Sequence, residues 1–173
     1  MHWPVFFLVP SILVLDQLSK YLVSTFMVMG QSIPSVGFFR LTYIHNTGSA
    51  FGLMSGQNTI LTVVAFLGIG LLLWLYRSYS NQGRLLRISL ALIMAGAIGN
   101  LIDRLNYGKV IDFFDVGPWP IFNIADSSIV VGGVTLAWIF FTNRELKNDL
   151  QGTTDEVSVV EKTGVADDES INH

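Results

Sequence analysis

The chain contains no cysteine, which excludes a disulfide framework, thiolate metal sites and a cysteine nucleophile. Its histidines, His2, His45 and His173, are scattered and no HExxH is present, so zinc chemistry has no visible support. Charge is also scarce. Only 13% of the 173 residues are charged, against about a quarter in soluble domains. Apolar residues make up 51% of the chain and the mean hydropathy is +0.52. The bilayer is therefore the expected solvent for much of the polypeptide.

The charges that remain are unevenly spread. Residues 1–144 hold eight basic and five acidic side chains, a balance of +3, and no glutamate. From Glu145 onward eight acidic residues face two basic ones, a balance of −6. The five acids of the body are Asp16, Asp103, Asp112, Asp115 and Asp126. With so few carboxylates, each one calls for an explanation.

Four apolar stretches approach the roughly 20 residues a spanning helix needs. They run from about Val5 to Met27, Thr59 to Tyr76, Ile88 to Leu105 and Ala125 to Phe141. The first has no basic leader or A-x-A site and contains Asp16 and Lys20, so it reads as a retained helix rather than a cleaved signal. Arg77, Arg84 and Arg87 lie between spans two and three, and Arg144 and Lys147 follow span four. The positive-inside rule then makes that connection and both termini cytoplasmic. Trp3, Tyr76, Tyr79, Trp119 and Trp138 fall near span ends, where amphipathic rings favour the interface. Segment 30–57 is too broken by Gly and Pro to cross, and its "VGFFRLTYI" suggests short strands. Segment 106–122 reads as a second extracytoplasmic loop. The tail from about Gln151 is acidic and without periodicity, so disorder is expected there.

Several polar residues sit where apolar ones are expected. Asp16 and Lys20, four apart, share a helical face and can pair. Ser19 beside Lys20 does not make a Ser/Lys protease pair, because adjacent helical residues do not face each other. "GAIGNLIDRL" puts Asn100, Asp103 and Arg104 on one face, with an Asp103–Arg104 pair as the plain reading, while Gly96 and Gly99 allow a second backbone to approach. Arg104 also suits a lipid phosphate. Asp112 and Asp126 both fall at the extracytoplasmic edge. Two carboxylates converging at low dielectric cannot both ionise easily, which supplies one base to activate water and one acid to assist a carbonyl. This chemistry needs no metal, thiol or imidazole. Asp115 competes with Asp112, and the sequence pattern alone does not separate them.

Intramembrane charges also mark ion paths, so a transporter or proton channel is a rival reading, although four spans are few and no inverted halves are evident. A non-enzymatic scaffold is another. A presenilin-like aspartyl protease would need a GxGD signature, which is absent.

Taken together, "DQLSK" at 16–20, "HNTGSAFG" at 45–52, "GAIGNLIDR" at 96–104, "VIDFFDV" at 110–116 and "FNIADSSI" at 122–129 resemble the bacterial lipoprotein signal peptidase family, signal peptidase II. The resemblance covers about residues 5–142. It implies an α-helical integral membrane protein with four transmembrane helices, a small extracytoplasmic β-sheet cradle and a lid-like segment around 45–57. It makes Asp112 and Asp126 the catalytic dyad, in preference to Asp115. Asp16, Lys20, Asn46, Gly48, Ala50, Phe51, Asn100, Asp103, Arg104, Asn123 and Ala125 fall on the family's other motif positions, which bind substrate or support the site. Ser49 departs from the alanine common there. The implied reaction is cleavage of a diacylglyceryl-modified prolipoprotein just before its lipidated cysteine, at the outer face of the bacterial cytoplasmic membrane. The implied partners are that substrate, membrane lipids and globomycin-type inhibitors, with no cofactor and no nucleic acid. The peptidase domain is expected over 1–144, followed by an acidic cytoplasmic tail over 145–173.

Overall fold

The protein, seen in a computed structural model, is described over residues 4–48, 57–79 and 83–142. A π-helical turn, Pro4–Leu8, leads into α1 (Val9–Phe26). Two strands follow, β1 (Ser32–Ile33) and β2 (Arg40–Asn46), then α2 (Asn58–Tyr79), α3 (Arg84–Tyr107), β3 (Val110–Asp115) and α4 (Ile124–Thr142). Among the described residues four helices are long and apolar enough to cross a membrane: Phe6–Phe26, Asn58–Tyr79, Arg84–Tyr107 and Ile124–Thr142. A compact unit extends to Leu136, and Ala137–Thr142 complete α4.

α1 is inverted relative to a helix of a soluble protein. The residues α1 buries are Val9, Asp16, Lys20 and Val23, a stripe spaced by sevens, fours and threes. Its exposed face carries Val14, Leu15, Leu18, Leu22 and Phe26. Hydrocarbon explains this arrangement, since apolar side chains lose nothing by facing lipid whereas charges must find partners inside. α3 is the central helix, with 56% of its span buried against none for α2. Val9, Ala91, Met94 and Ala95 form one apolar core, joined by Leu72 of α2.

Glycine sets the approach of α3 to α4. A Cβ on Gly96 would overlap the Ala125 carbonyl and lie 2.5 Å from Ser128 Oγ. One on Gly132 would come within 2.7 Å of the Ser89 carbonyl and Ile93 Cγ1. Small residues are what allow two spanning backbones to meet this closely.

The strands form one antiparallel sheet in the order β1-β2-β3. Ser32 pairs with Thr42, and Asn46, His45 and Ile44 pair with Val110, Ile111 and Asp112, with a bulge between Leu41 and Ile44. Phe122 adds a bridge to Phe114 beyond the turn. Val23, Tyr43, Ile111 and Phe113 make the second core, where α1 meets the sheet.

Three expectations change. Segment 106–122 is more than a loop, because Val110–Asp115 is a strand buried on both faces, which erases the alternation that would have marked it. "VGFF" at 36–39 lies before β2 rather than in a strand. Arg84 and Arg87 belong to the first turn of α3 rather than to a loop. Most of the expected lid, together with Ala50, Phe51 and the acidic tail, lies outside the described residues.

The α3–α4 contact predicts a contrast between neighbouring glycines. Gly96→Ala should destabilise the detergent-solubilised protein by about 1–3 kcal/mol, the usual range for overpacking. Gly133→Ala, where nothing lies within 4 Å of an added Cβ, should keep or raise the unfolding midpoint, since alanine is favoured over glycine in a helix interior by up to about 1 kcal/mol. Equal midpoints for the two variants would contradict the packing described.

Candidate active site

The buried stripe of α1 ends in a three-way knot around Lys20. Its ammonium donates to Asp16 Oδ2 at 2.8 Å and Asn100 Oδ1 at 3.2 Å, and it lies 2.9 Å from Asp103 Oδ2. All three groups are buried, with Asp16 at 0%, Lys20 at 2% and Asp103 at 1% exposure. The expected Asp16–Lys20 pair is present. The expected Asp103–Arg104 pair is not: Asp103 turns to Lys20, while an Arg104 Nη1 hydrogen bond runs to the Asn100 carbonyl at 3.5 Å. Geometry explains the switch, since adjacent helical residues diverge by about 100° and only one of them can face α1.

One cation between two carboxylates leaves negative charge over, and backbone amides meet it. Ala125 N–H donates to Asp16 Oδ1 at 2.9 Å, and Ile111 N–H donates to Asp103 Oδ2 at 3.2 Å. These amides belong to the residues immediately before Asp126 and Asp112. The knot therefore fixes the backbone on which each of those aspartates stands. Gln17 adds a third tie. Its Nε2 lies within 3.2 Å of Asp16 Oδ2, Asp103 Oδ1 and the Gly99 carbonyl. Sequence reasoning missed Gln17, because its position beside Asp16 sets it off the buried stripe and only the length of its side chain brings it back.

Asp112 and Asp126 line one cavity of about 520 Å³. Asp112 is in the middle of β3 at 1% exposure. Its Oδ2 accepts from Asn46 Nδ2 at 2.9 Å and its Oδ1 from Asn123 Nδ2 at 2.7 Å. Asn46 is itself held, since Gly48 N–H donates to its Oδ1 at 2.9 Å. Asp126 is in the first turn of α4. Its Oδ1 accepts from Asn100 Nδ2 at 2.7 Å and its Oδ2 from Asn123 N–H at 3.3 Å, while its own N–H donates to Asn123 Oδ1 at 2.8 Å. This reciprocal pattern is a capping box, with Asn123 as N-cap and Asp126 at the third helical position. Asn123, fully buried, thus touches both aspartates and also donates to Asn100 Oδ1 at 3.1 Å.

Each oxygen of the two carboxylates accepts one of these hydrogen bonds, so each keeps a lone pair for a water. Burial, first, and the nearby Asp126 charge raise the Asp112 carboxyl to about 6. Gly48 and Arg104 line the same cavity, and Arg104 sits in the field of both aspartates. Trp119, Ile121, Phe122, Ile129, Val130 and Val131 give the cavity an apolar wall. Among the described residues no group of three or more His, Cys, Asp or Glu side chains is placed to hold a metal.

Asp115 belongs to a different cluster. Three residues along a strand, it points to the opposite face from Asp112. There Thr42 Oγ1 donates to it at 2.7 Å, Arg40 pairs with it at 2.7 Å, and Gly117 N–H donates at 3.1 Å. The Thr42 hydroxyl bond leads in holding its carboxyl below the usual range. A carboxylate so fully engaged is a structural anion.

Known proteins resemble this chain over most of its length. A family model described as signal peptidase (SPase) II matches residues 8–142. A lipoprotein signal peptidase of Moorella thermoacetica is 46% identical over 136 residues, covering 78% of this chain and 91% of the relative. One from Shouchella clausii is 44% identical over 139 residues, covering 79% and 92%. A solved structure described as a bacterial membrane enzyme superposes with a TM-score of 0.75 at 30% identity, over 83% of this chain and 90% of the other. With the family match spanning all four helices and the sheet, the chain belongs to the signal peptidase II family.

Proposed function

We propose that this protein is a membrane aspartyl endopeptidase with Asp112 and Asp126 as its catalytic dyad. It removes the signal peptide from diacylglyceryl-modified prolipoproteins by cleaving just before the lipidated cysteine. Membership of the signal peptidase II family supports the reaction. The observation that carries the residue assignment is the shared cavity, in which a buried carboxylate, Asp112, and a half-buried one, Asp126, are both tied to Asn123.

In the proposed mechanism one aspartate is ionised and the other holds a proton. The ionised carboxylate takes a proton from water as its oxygen attacks the scissile carbonyl carbon. The protonated partner donates to the carbonyl oxygen, giving a neutral tetrahedral diol. Collapse breaks the C–N bond, with the proton gained from water passing to the leaving cysteine nitrogen and the diol proton returning to the dyad. The products are the signal peptide with a new carboxyl terminus and the lipoprotein with a free cysteine amine. No acyl-enzyme forms. Arg104 and Asn46 sit beside the dyad, where they would position the substrate backbone.

The apolar wall beside the dyad supports recognition of the diacylglyceryl chains, and membrane lipids and globomycin-type inhibitors are the further ligands expected of this site. Loop charges support an orientation with both termini cytoplasmic and the dyad on the extracytoplasmic side, the peptidase residing in 1–144 and the acidic segment 145–173 in the cytoplasm.

Two outcomes test this reading. With purified protein and a diacylglyceryl-modified precursor, Asp112→Asn and Asp126→Asn should each lose at least ~100-fold in cleavage rate, the lower end for acid–base help. Near-normal cleavage by either variant would sink the dyad. The second outcome is a pH profile. The dyad needs its proton, and the Asp112 carboxyl lies near about 6, so kcat/KM should fall as pH rises beyond that value. The kcat profile should extend to higher pH, since bound substrate covers the cavity and disfavours charge. A kcat/KM that climbs steadily through this range would overturn the protonation scheme.

A further inference from the structure

The segment between α1 and β2, residues 28–39, contains no ionisable side chain. Its large apolar side chains face outward while Ser32 turns toward the sheet. Ser32 Oγ bonds Thr42 Oγ1 at 2.8 Å, Thr42 passes the chain on to Asp115, and Gln31 Oε1 takes the Val28 N–H at 2.8 Å. The apolar side chains point away: Val36 is 79% exposed, Phe39 73%, Phe38 59% and Ile33 49%. A hairpin facing water would turn these groups the other way.

The exposed surface is also continuous with one already in lipid. α1 ends at Phe26, 77% exposed, and Val28 and Met29 carry that apolar face directly into the hairpin. A tight turn keeps the segment at this level, with Gly30 N–H donating to the Tyr43 carbonyl and Gln31 N–H to the Val28 carbonyl, each at 2.8 Å. At the far end the Phe38 ring rests on the turn after β3, where a Cβ on Gly117 would lie 3.3 Å away. Phe38 and Phe39 meet edge to face with ring centroids 4.9 Å apart. The first charge reached is Arg40, and Asp115 holds it against the sheet.

We propose that residues 33–39 insert into the interfacial layer of the membrane leaflet at the dyad end of the helices, with Phe38 and Phe39 as the anchor. The occupant of this surface is phospholipid, at the boundary between headgroups and acyl chains, where aromatic side chains are favoured. The anchor is rigidly joined through β2 to β3 and hence to Asp112. It holds the sheet at the depth where a lipid-anchored peptide bond arrives. That consequence rests on the peptidase reading, whereas insertion itself does not.

Because the chain has no cysteine, one engineered thiol reports depth. Full-length Val36→Cys carrying an environment-sensitive fluorophore would be reconstituted in phosphatidylcholine–phosphatidylglycerol vesicles. Lipids spin-labelled high on the acyl chain should quench it, and aqueous iodide should not. Adding Phe38→Ser and Phe39→Ser, both at exposed positions, should reverse this preference. The same double substitution should lower kcat/KM on lipid-modified precursor in vesicles and leave it unchanged in detergent micelles. Full iodide access in the Val36→Cys protein overturns insertion. Persistent lipid quenching after the double substitution overturns the anchor assignment. Equal activity loss in both media overturns the membrane role in favour of a folding one. None of these results depends on the outcome of the dyad variants.

Discussion

The rest of the structure depends on the Lys20 ammonium. It is held at 2% exposure among Asp16, Asp103 and Asn100. Such a charge in a membrane helix bundle persists only if every donor is met and every neighbouring anion is balanced. The surplus negative charge is met by the N–H groups of Ala125 and Ile111, and that choice has consequences beyond neutrality. One amide starts α4 one residue before Asp126, and the other enters β3 one residue before Asp112. A single ion cluster thus sets the relative position of two aspartates that come from a helix and a strand.

Solvent explains the remainder of the architecture. α1 buries its charges and exposes its leucines, and the β1–β2 hairpin buries Thr42 and half-buries Ser32 while exposing Val36, Phe38 and Phe39. Glycine at 96 and 132 then brings α4 close enough to α3 for Asn100 to reach Asp126. Packing, ion pairing and catalytic geometry are therefore one problem here. A methyl group in the α3–α4 seam moves the same helix start that carries Asp126.

Much of this was legible in the sequence. Long apolar runs announce spanning helices directly, because each span must satisfy its own backbone. The Asp16–Lys20 pair follows from a spacing of four, and the role of Gly96 follows from its size. What stayed hidden was tertiary. β3 has no alternation to read, because both of its faces are buried. The partner of Asp103 is 83 positions away in α1 rather than adjacent in α3, so local spacing favoured Arg104 wrongly. The residue pattern alone left Asp112 and Asp115 unseparated, and the resemblance made that choice; that the two point to opposite faces follows only once the segment is known to be a strand. The capping box at Asn123 and Asp126 emerged only with the structure, as did its second role of linking Asp112 to Asp126 once β3 is in place.

The central claim is that Asp112, buried, and Asp126, half-buried, share one proton in a site that Lys20 organises. Infrared difference spectroscopy of the carboxyl stretch, with pH stepped between about 5 and about 8, tests it without relying on turnover. The account predicts a protonated carboxyl that ionises near about 6. The signal should vanish in Asp112→Asn and move to lower pH in Asp126→Asn, where the neighbouring negative charge is gone. A spectrum with every carboxyl already ionised throughout that range would contradict it.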